Sequence, residues 1–159
     1  MTTYQVSPVG HVRQIEGLFA IEILPEFRPA LKALEQFSHV HVFWWMSESD
    51  NPTDRANLQD ELPYAPGQIA GVFASRSNER PNPIGLTTCF ILDVDEKAGM
   101  IYVAWMDAHD GTTVLDLKPY IPLSDRARDV KVPSWFAGWP QWMEDAADFD
   151  FASVGLGDD

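Results

Sequence analysis

The sequence predicts a mainly β fold: a small antiparallel β-barrel with one or two short helices and a long loop. Six or seven short segments are dense in β-branched and aromatic residues and are separated by turn signals. Only one segment spaces its apolar residues as a helix does. No alternation of strand and helix runs along the chain, which disfavours a parallel doubly wound sheet and favours a barrel or strongly coiled antiparallel sheet.

In chain order, Tyr4–Val12 reads as an opening strand punctuated by Pro8-Val9-Gly10. Phe19–Leu24 alternates apolar residues with Glu22 and suits a half-exposed strand. Pro29–Gln36 is predicted as a short amphipathic helix, with Pro29 in its first turn and Ala30, Leu31, Leu34 and Phe37 at helical spacing. Val40–Trp45 is a strand by composition. Ser47–Gly67, with Pro52, Pro63, Pro66 and several acids, is predicted as a long loop of the kind that is usually functional or mobile. Ile69–Ala74 is a strand, and Ser75–Asn82 is a polar connection. Ile84–Asp93 and Met100–Met106 are strands around the turn Asp95–Gly99, and Thr113–Leu117 is a last short strand. The tryptophans of 135–142 are expected to pack as a cover over the barrel.

The chain has 159 residues, enough for one domain with a sizeable core. The expected organisation is one barrel domain over 1–143 and a frayed acidic tail over 144–159. No apolar run approaches the roughly 20 residues of a membrane span, and the N-terminus lacks the features of a signal peptide. The expected compartment is the cytoplasm. A single cysteine, Cys89, excludes an intramolecular disulfide and any site built on several thiolates. Within an apolar strand it reads as a buried, inert thiol.

Eleven Lys and Arg stand against 24 Asp and Glu, a net charge of −13. The tail holds six of those acids and no base; without it, 18 acids against 11 bases leave the body at −7. Such a field repels phosphate, so any RNA contact must use a local basic patch. Arg76, Arg80, Lys118, Arg126, Arg128 and Lys131 could form one if the fold gathers them.

Two segments carry most of the chemistry. Pro81 and Pro83 bracket Asn82, which makes a stiff, non-helical turn presenting Arg76, Ser77 and Arg80, and Gly85 permits a close approach of backbone or ligand. Asp110-Gly111 is a turn signal, followed by the hydroxyls of Thr112 and Thr113, and a carboxylate there can bind ribose hydroxyls or an amino group. Taken alone, each also reads as an ordinary strand connection. Lys118-Pro119-Tyr120 places an ammonium and a phenol beside a fixed backbone. His39 and His41 point to one face of a strand, but no third ligand accompanies them, so no metal is expected. The sequence contains neither GxGxxG, GxxxxGK[ST] nor GxSxG.

At these segments the chain resembles the TsaA-like, or TrmO-type, methyltransferases. Arg76-Ser77-x-x-Arg80-Pro81-Asn82-Pro83-Ile84-Gly85-Leu86 is similar to the family signature. Asp110-Gly111-Thr112 followed by Asp116-Leu117-Lys118-Pro119-Tyr120 is similar to a second motif, and Phe37-Ser38-His39 entering Val40–Trp45 to a third. The resemblance covers most of residues 4–125.

The resemblance implies a barrel that binds S-adenosyl-L-methionine without a Rossmann fold and works as a homodimer. It implies methylation of the exocyclic nitrogen of threonylcarbamoyl-adenosine in the tRNA anticodon loop. By position, Arg76 and Leu86 line the cofactor site from the first motif, and Asp110, Gly111, Thr112 and Thr113 from the second, as one pocket. Val12-Arg13-Gln14 corresponds to an early Pro-Arg-Gln segment, with valine replacing proline at Val12. Ser47 stands where the family usually has histidine, with Glu48 next. Arg80, Asn82, Lys118 and Tyr120 fall to the substrate side. Longer bacterial members carry a C-terminal domain thought to help hold tRNA, which this chain is expected to lack. A carboxylate or Tyr120 can take the proton, and no catalytic base is singled out. Two other readings stay open: the same barrel methylating a small-molecule or protein acceptor, which the charge favours, and a non-catalytic cofactor-binding module.

Overall fold

The computed structural model describes residues 2–156. Met1 and the last residues of the acidic tail, Gly157–Asp159, lie outside the described residues. The chain divides into two compact units, one gathering residues up to Ala56 with Asn78–Arg126, the other Asn57–Ser77 with the chain from Ala127 on.

The first unit is the barrel that the strand pattern predicts. Its strands are β1 (Gly10–Ile15), β2 (Leu18–Ile23) and β3 (His39–Trp45), and, past β4 (Gln59–Glu61) and β5 (Ile69–Gly71) of the second unit, β6 (Ile84–Asp95), β7 (Met100–Val103) and β8 (Thr113–Pro119). They close in the order β1-β2-β7-β6-β3-β8, every neighbouring pair antiparallel. Closure leaves no free edge in this sheet. Alternation decides what fills the interior: Val12, Ile21, Val40, Val42, Cys89, Ile101, Val103 and Val114 point inward and are buried. Burial pushes the Cys89 thiol up to about 12, so at neutral pH it is the inert thiol expected from the sequence.

Several elements differ from the sequence reading. The first strand begins at Gly10, not Tyr4. Its partner is fixed by the two-residue turn Glu16-Gly17, where φ is +52° and +83°. Positive φ at both central positions is what a tight hairpin turn needs to match the strand twist. The helix predicted over 29–36 is instead two 3-10 segments, Pro25–Leu31 and Leu34–Gln36, broken at Ala33 with φ +71°. Pro29 has no N–H to donate one turn back, so a regular α-helical ladder cannot run through it. The apolar face survives nonetheless: Leu31 is buried, and Phe27 and Leu34 pack on the barrel core.

The loop predicted over 47–67 contains a 3-10 turn (Ser47–Ser49), a helix α1 (Pro52–Ala56) and strand β4. Asn51 Oδ1 accepts from the Thr53 and Asp54 N–H groups at 3.1 and 3.0 Å, the reason a five-residue helix forms there. The strand predicted over 69–74 stops at Gly71 and continues as a 3-10 turn (Val72–Ala74). The strand predicted over 100–106 stops at Val103, which releases Trp105 and Met106 from the sheet. A last short helix, α2, spans Pro122–Asp125.

In the second unit β4 and β5 pair as a small antiparallel ribbon. Tyr64 stacks with Phe136 and Trp139, and Trp139 with Phe149 and Phe151. The aromatic residues near the C-terminus thus have partners of their own in this unit. Among the described residues no helix is long and apolar enough to cross a membrane.

Candidate functional site

At one end of the barrel the chain leaves the sheet after β3 and after β7, and the two exits meet around a cavity of about 520 Å³. The end of β3 and the turn after it supply Trp44, Trp45, Ser47, Glu48 and Ser49. The segment after β7 supplies Trp105, Asp107, His109, Asp110, Gly111 and Thr112, with Gln14 from β1 and Asn78 from the first motif.

Short hydrogen bonds fix each wall. The Gln14 backbone N–H donates to Asp110 Oδ1 at 2.9 Å. Beside it the Gly111 N–H donates to the Val12 carbonyl, and the Val12 N–H to the Thr112 carbonyl, both at 2.8 Å. Gly111 takes φ +81°, which a residue with a side chain rarely adopts, and Thr112 N–H closes the turn on the His109 carbonyl at 3.1 Å. The Met46 N–H donates to the Pro83 carbonyl at 2.8 Å, tying the β3 exit to the proline turn. Trp44 lies flat over Gly85, where any Cβ would overlap its ring, and its indole N–H donates to Thr87 Oγ1 at 3.1 Å. The close approach that Gly85 permits is therefore that of an indole.

Of the residues expected at the cofactor site, Gln14, Ser47, Glu48, Asp110, Gly111 and Thr112 line this cavity. Val12 belongs to the core and joins the site through its backbone alone. Arg13 is held by Glu22 at 2.7 Å, and Thr113 begins β8 opposite His11. Leu86 is not gathered with the Asp110–Thr113 turn within one chain: alternation along β6 turns Gly85 and Thr87 inward and Leu86 outward, where it pairs with Phe43. Arg76 belongs to the second unit and is exposed.

The positions expected on the substrate side lie outside the lining. Asn82 is exposed and Arg80 half-buried in the proline turn. Lys118 is paired with Asp116 at 2.7 Å on the outer face of β8, and Tyr120 stacks against His39 and His41. The two histidines do share one face, with His41 also bonded to Thr88 Oγ1 and Asp125. Among the described residues no group of three or more His, Cys, Asp or Glu is arranged for a metal ion.

Sequence reasoning missed Trp44, Trp45, Asn78, Trp105, Asp107 and His109. Trp105 had a visible signal, a large aromatic beside Asp107 at the end of a strand segment. Asn78 lies inside the first motif, and Asp107 and His109 directly precede the Asp110 turn, but neither segment marked these positions as site residues. Trp44 and Trp45 had no signal, because their place in the cavity follows from where β3 ends.

The cavity's charge is one-sided. Glu48, Asp107 and Asp110 contribute carboxylates, and among the described residues no Lys or Arg lines it. Trp44, Trp45 and Trp105 line it beside these carboxylates, and aromatic rings attract cations.

A family model described as the tRNA-methyltransferase O N-terminal domain matches residues 8–126. A probable S-adenosyl-L-methionine-binding protein of Archaeoglobus fulgidus is 40% identical over 118 residues, 73% of this chain and 30% of that one. The human tRNA (adenine(37)-N6)-methyltransferase is 39% identical over 104 residues, 65% of this chain and 23% of the human protein. The crystal structure of TrmO from Pseudomonas aeruginosa superposes with a TM-score of 0.63 at 30% identity, covering 82% of this chain and 61% of that one. This chain therefore spans less than two thirds of the length of each of these three proteins.

The Asp110 hydrogen bond to Gln14 is exposed, and a bond of that kind contributes about 1 kcal/mol. Asp110→Ala is expected to speed hydrogen exchange of the Gln14 amide about fivefold while Asp110→Asn, which keeps an acceptor, restores most of the protection. Unchanged exchange in Asp110→Ala would show that the contact does not hold the turn.

Proposed function

The chain belongs to the tRNA-methyltransferase O N-terminal domain family, and on that premise we propose that it is a cytoplasmic S-adenosylmethionine-dependent methyltransferase. Its acceptor is the exocyclic nitrogen of threonylcarbamoyl-adenosine in the tRNA anticodon loop. The observation that carries the donor half is the composition of the cavity: three carboxylates, three tryptophans and, among the described residues, no Lys or Arg.

That set fits the donor. The cavity volume of about 520 Å³ lies within the roughly 300–1,000 Å³ of small-molecule sites. Asp110, Asp107 and Glu48 suit the donor's ammonium and ribose hydroxyls, and the indoles of Trp44, Trp45 and Trp105 suit its adenine and its sulfonium. The Asn78 side-chain amide is a donor for its carboxylate. When bound, S-adenosylmethionine supplies a methyl group already activated on a sulfonium, so no covalent bond to the protein is required. The chain's own work is alignment and exclusion of water. The acceptor nitrogen must shed a proton, and Glu48, Asp107 and His109 are the cavity groups able to take it, Asp110 being already engaged through Oδ1.

Support for tRNA comes from the family itself and from the human relative, which is a tRNA (adenine(37)-N6)-methyltransferase. The net charge of −13 and, among the described residues, the absence of Lys and Arg from the lining favour instead a small-molecule acceptor. Labelled methyl transfer from S-adenosylmethionine into tRNA from a strain lacking this protein separates the two. Label in a modified adenosine after digestion to nucleosides is expected, and its loss in Glu48→Ala/Asp107→Ala through a KM for the donor raised about tenfold. Label only in small metabolites would overturn the tRNA half, and no transfer at all the enzymatic reading.

We also propose that the protein works as a homodimer. On β6 the outward residues Ile84, Leu86, Phe90 and Leu92 are 40%, 38%, 47% and 51% exposed, an apolar row on an otherwise acidic molecule. A second copy covering this row removes it from water, and the pair would be related by a twofold axis. Sedimentation equilibrium at micromolar concentration is expected to give twice the chain mass, falling to the chain mass in Phe90→Glu; a monomeric wild type contradicts the proposal.

A further inference from the structure

Two tryptophans leave β3 side by side at the cavity, and they are held by different means. Trp44 is fixed from within the barrel by Gly85 and Thr87. Trp45 is fixed from outside the cavity: its indole N–H donates to Asp50 Oδ2 at 3.0 Å. The other carboxylate oxygen, Oδ1, accepts from Arg55 Nη1 at 2.8 Å. Arg55 sits in the last turn of α1, and its backbone N–H donates to the Asn51 carbonyl at 3.0 Å. The Asp50 N–H closes the Ser47–Ser49 turn on the Ser47 carbonyl at 3.3 Å.

Asp50 thus joins an indole of the cavity wall to the helix behind it through its carboxylate, and closes through its backbone N–H the turn that carries Ser47 and Glu48 into the cavity. Neither Asp50 nor Arg55 lines the cavity itself. The Arg55 guanidinium and then the Trp45 indole, each through a hydrogen bond, hold the Asp50 carboxyl below its ordinary range. It therefore remains an ionised acceptor across the neutral range. Side chains of Asp50 and Arg55 are 36% and 40% exposed, and ion pairs of that exposure contribute little to stability. Rigidity of one ring is a better account of what the arrangement does.

We propose that Asp50 is a positioning residue for the methyl donor, acting through Trp45. Held by Asp50 and backed by Arg55, the Trp45 indole keeps one orientation and serves as a fixed aromatic wall for the donor's adenine or sulfonium. The proposal rests on the donor reading above. Released from Asp50, the ring samples other rotamers, and each binding event must order it again, which weakens affinity without altering the chemical step.

The test is calorimetry of S-adenosylmethionine with the full chain, in a cycle of Asp50→Ala, Trp45→Phe and the double variant, with thermal unfolding of each. Wild-type binding is the control: its absence overturns the donor reading, and this proposal with it. With binding present, Asp50→Ala is expected to raise Kd about five- to tenfold with its unfolding transition nearly unchanged, and to raise KM while leaving kcat within about twofold. Asp50→Asn, which still accepts from the indole, should recover most of the affinity. In the Trp45→Phe background, which has no indole N–H, Asp50→Ala should change Kd less than about twofold. An equal effect of Asp50→Ala in both backgrounds would overturn the proposal, since Asp50 would then act by another route. So would an unchanged Kd in Asp50→Ala, or an unperturbed Trp45 indole N–H resonance in that variant.

Discussion

Strands β1 and β8 meet over only two register pairs, Gly10 with Val114 and His11 with Thr113. The seam is therefore completed beyond the ladder, by the backbone exchange of Val12 with Gly111 and Thr112 and by the Asp110 carboxylate on the Gln14 N–H. The other long seams are robust: β3 pairs with β6 over seven positions, and β1 with β2 over six. The barrel's weakest join is thus also the wall of its cavity. An unpaired β1 would expose a row of donors and acceptors, as any sheet edge does, so the turn that builds the site also completes the barrel.

The same geometry explains how so small a barrel makes room for a ligand without opening its core. Inward positions are filled by Val, Ile, Cys and Met side chains, including the Cys89–Met106 sulfur contact at 3.6 Å. Space is made instead above the barrel end, where β3 and β7 stop and their continuations turn aside. Trp45 is the last residue of β3, paired with Ile84, and Trp105 lies two residues past the end of β7. The resulting site combines tryptophans with carboxylates, brought together by the short segments that meet there.

Much of this was legible in the sequence. Strand composition and the absence of βα alternation pointed to the antiparallel barrel, and the Val12–Gln14 and Asp110–Thr112 segments, far apart in the chain, do meet. What was not legible depends on local geometry. A period of three to four residues over 29–37 cannot tell an α-helix from 3-10 turns interrupted at Ala33. Leu86 looked like a pocket residue from its motif, yet the period of two along β6 turns it away from the cavity within one chain. Gly85 was readable as a site of close approach, but that Trp44 is what approaches required the β3–β6 register.

The central claim is that the cavity between the β3 exit and the 107–112 segment holds the methyl donor. Its most direct test is titration of S-adenosylmethionine into uniformly 15N-labelled protein, following the backbone amides. The account predicts saturable shifts at Gln14, Ser47–Ser49, Trp105 and His109–Thr112, with Lys118 and the β4–β5 ribbon little changed. Shifts confined to residues outside this lining, or no saturable shift at millimolar donor, would contradict it.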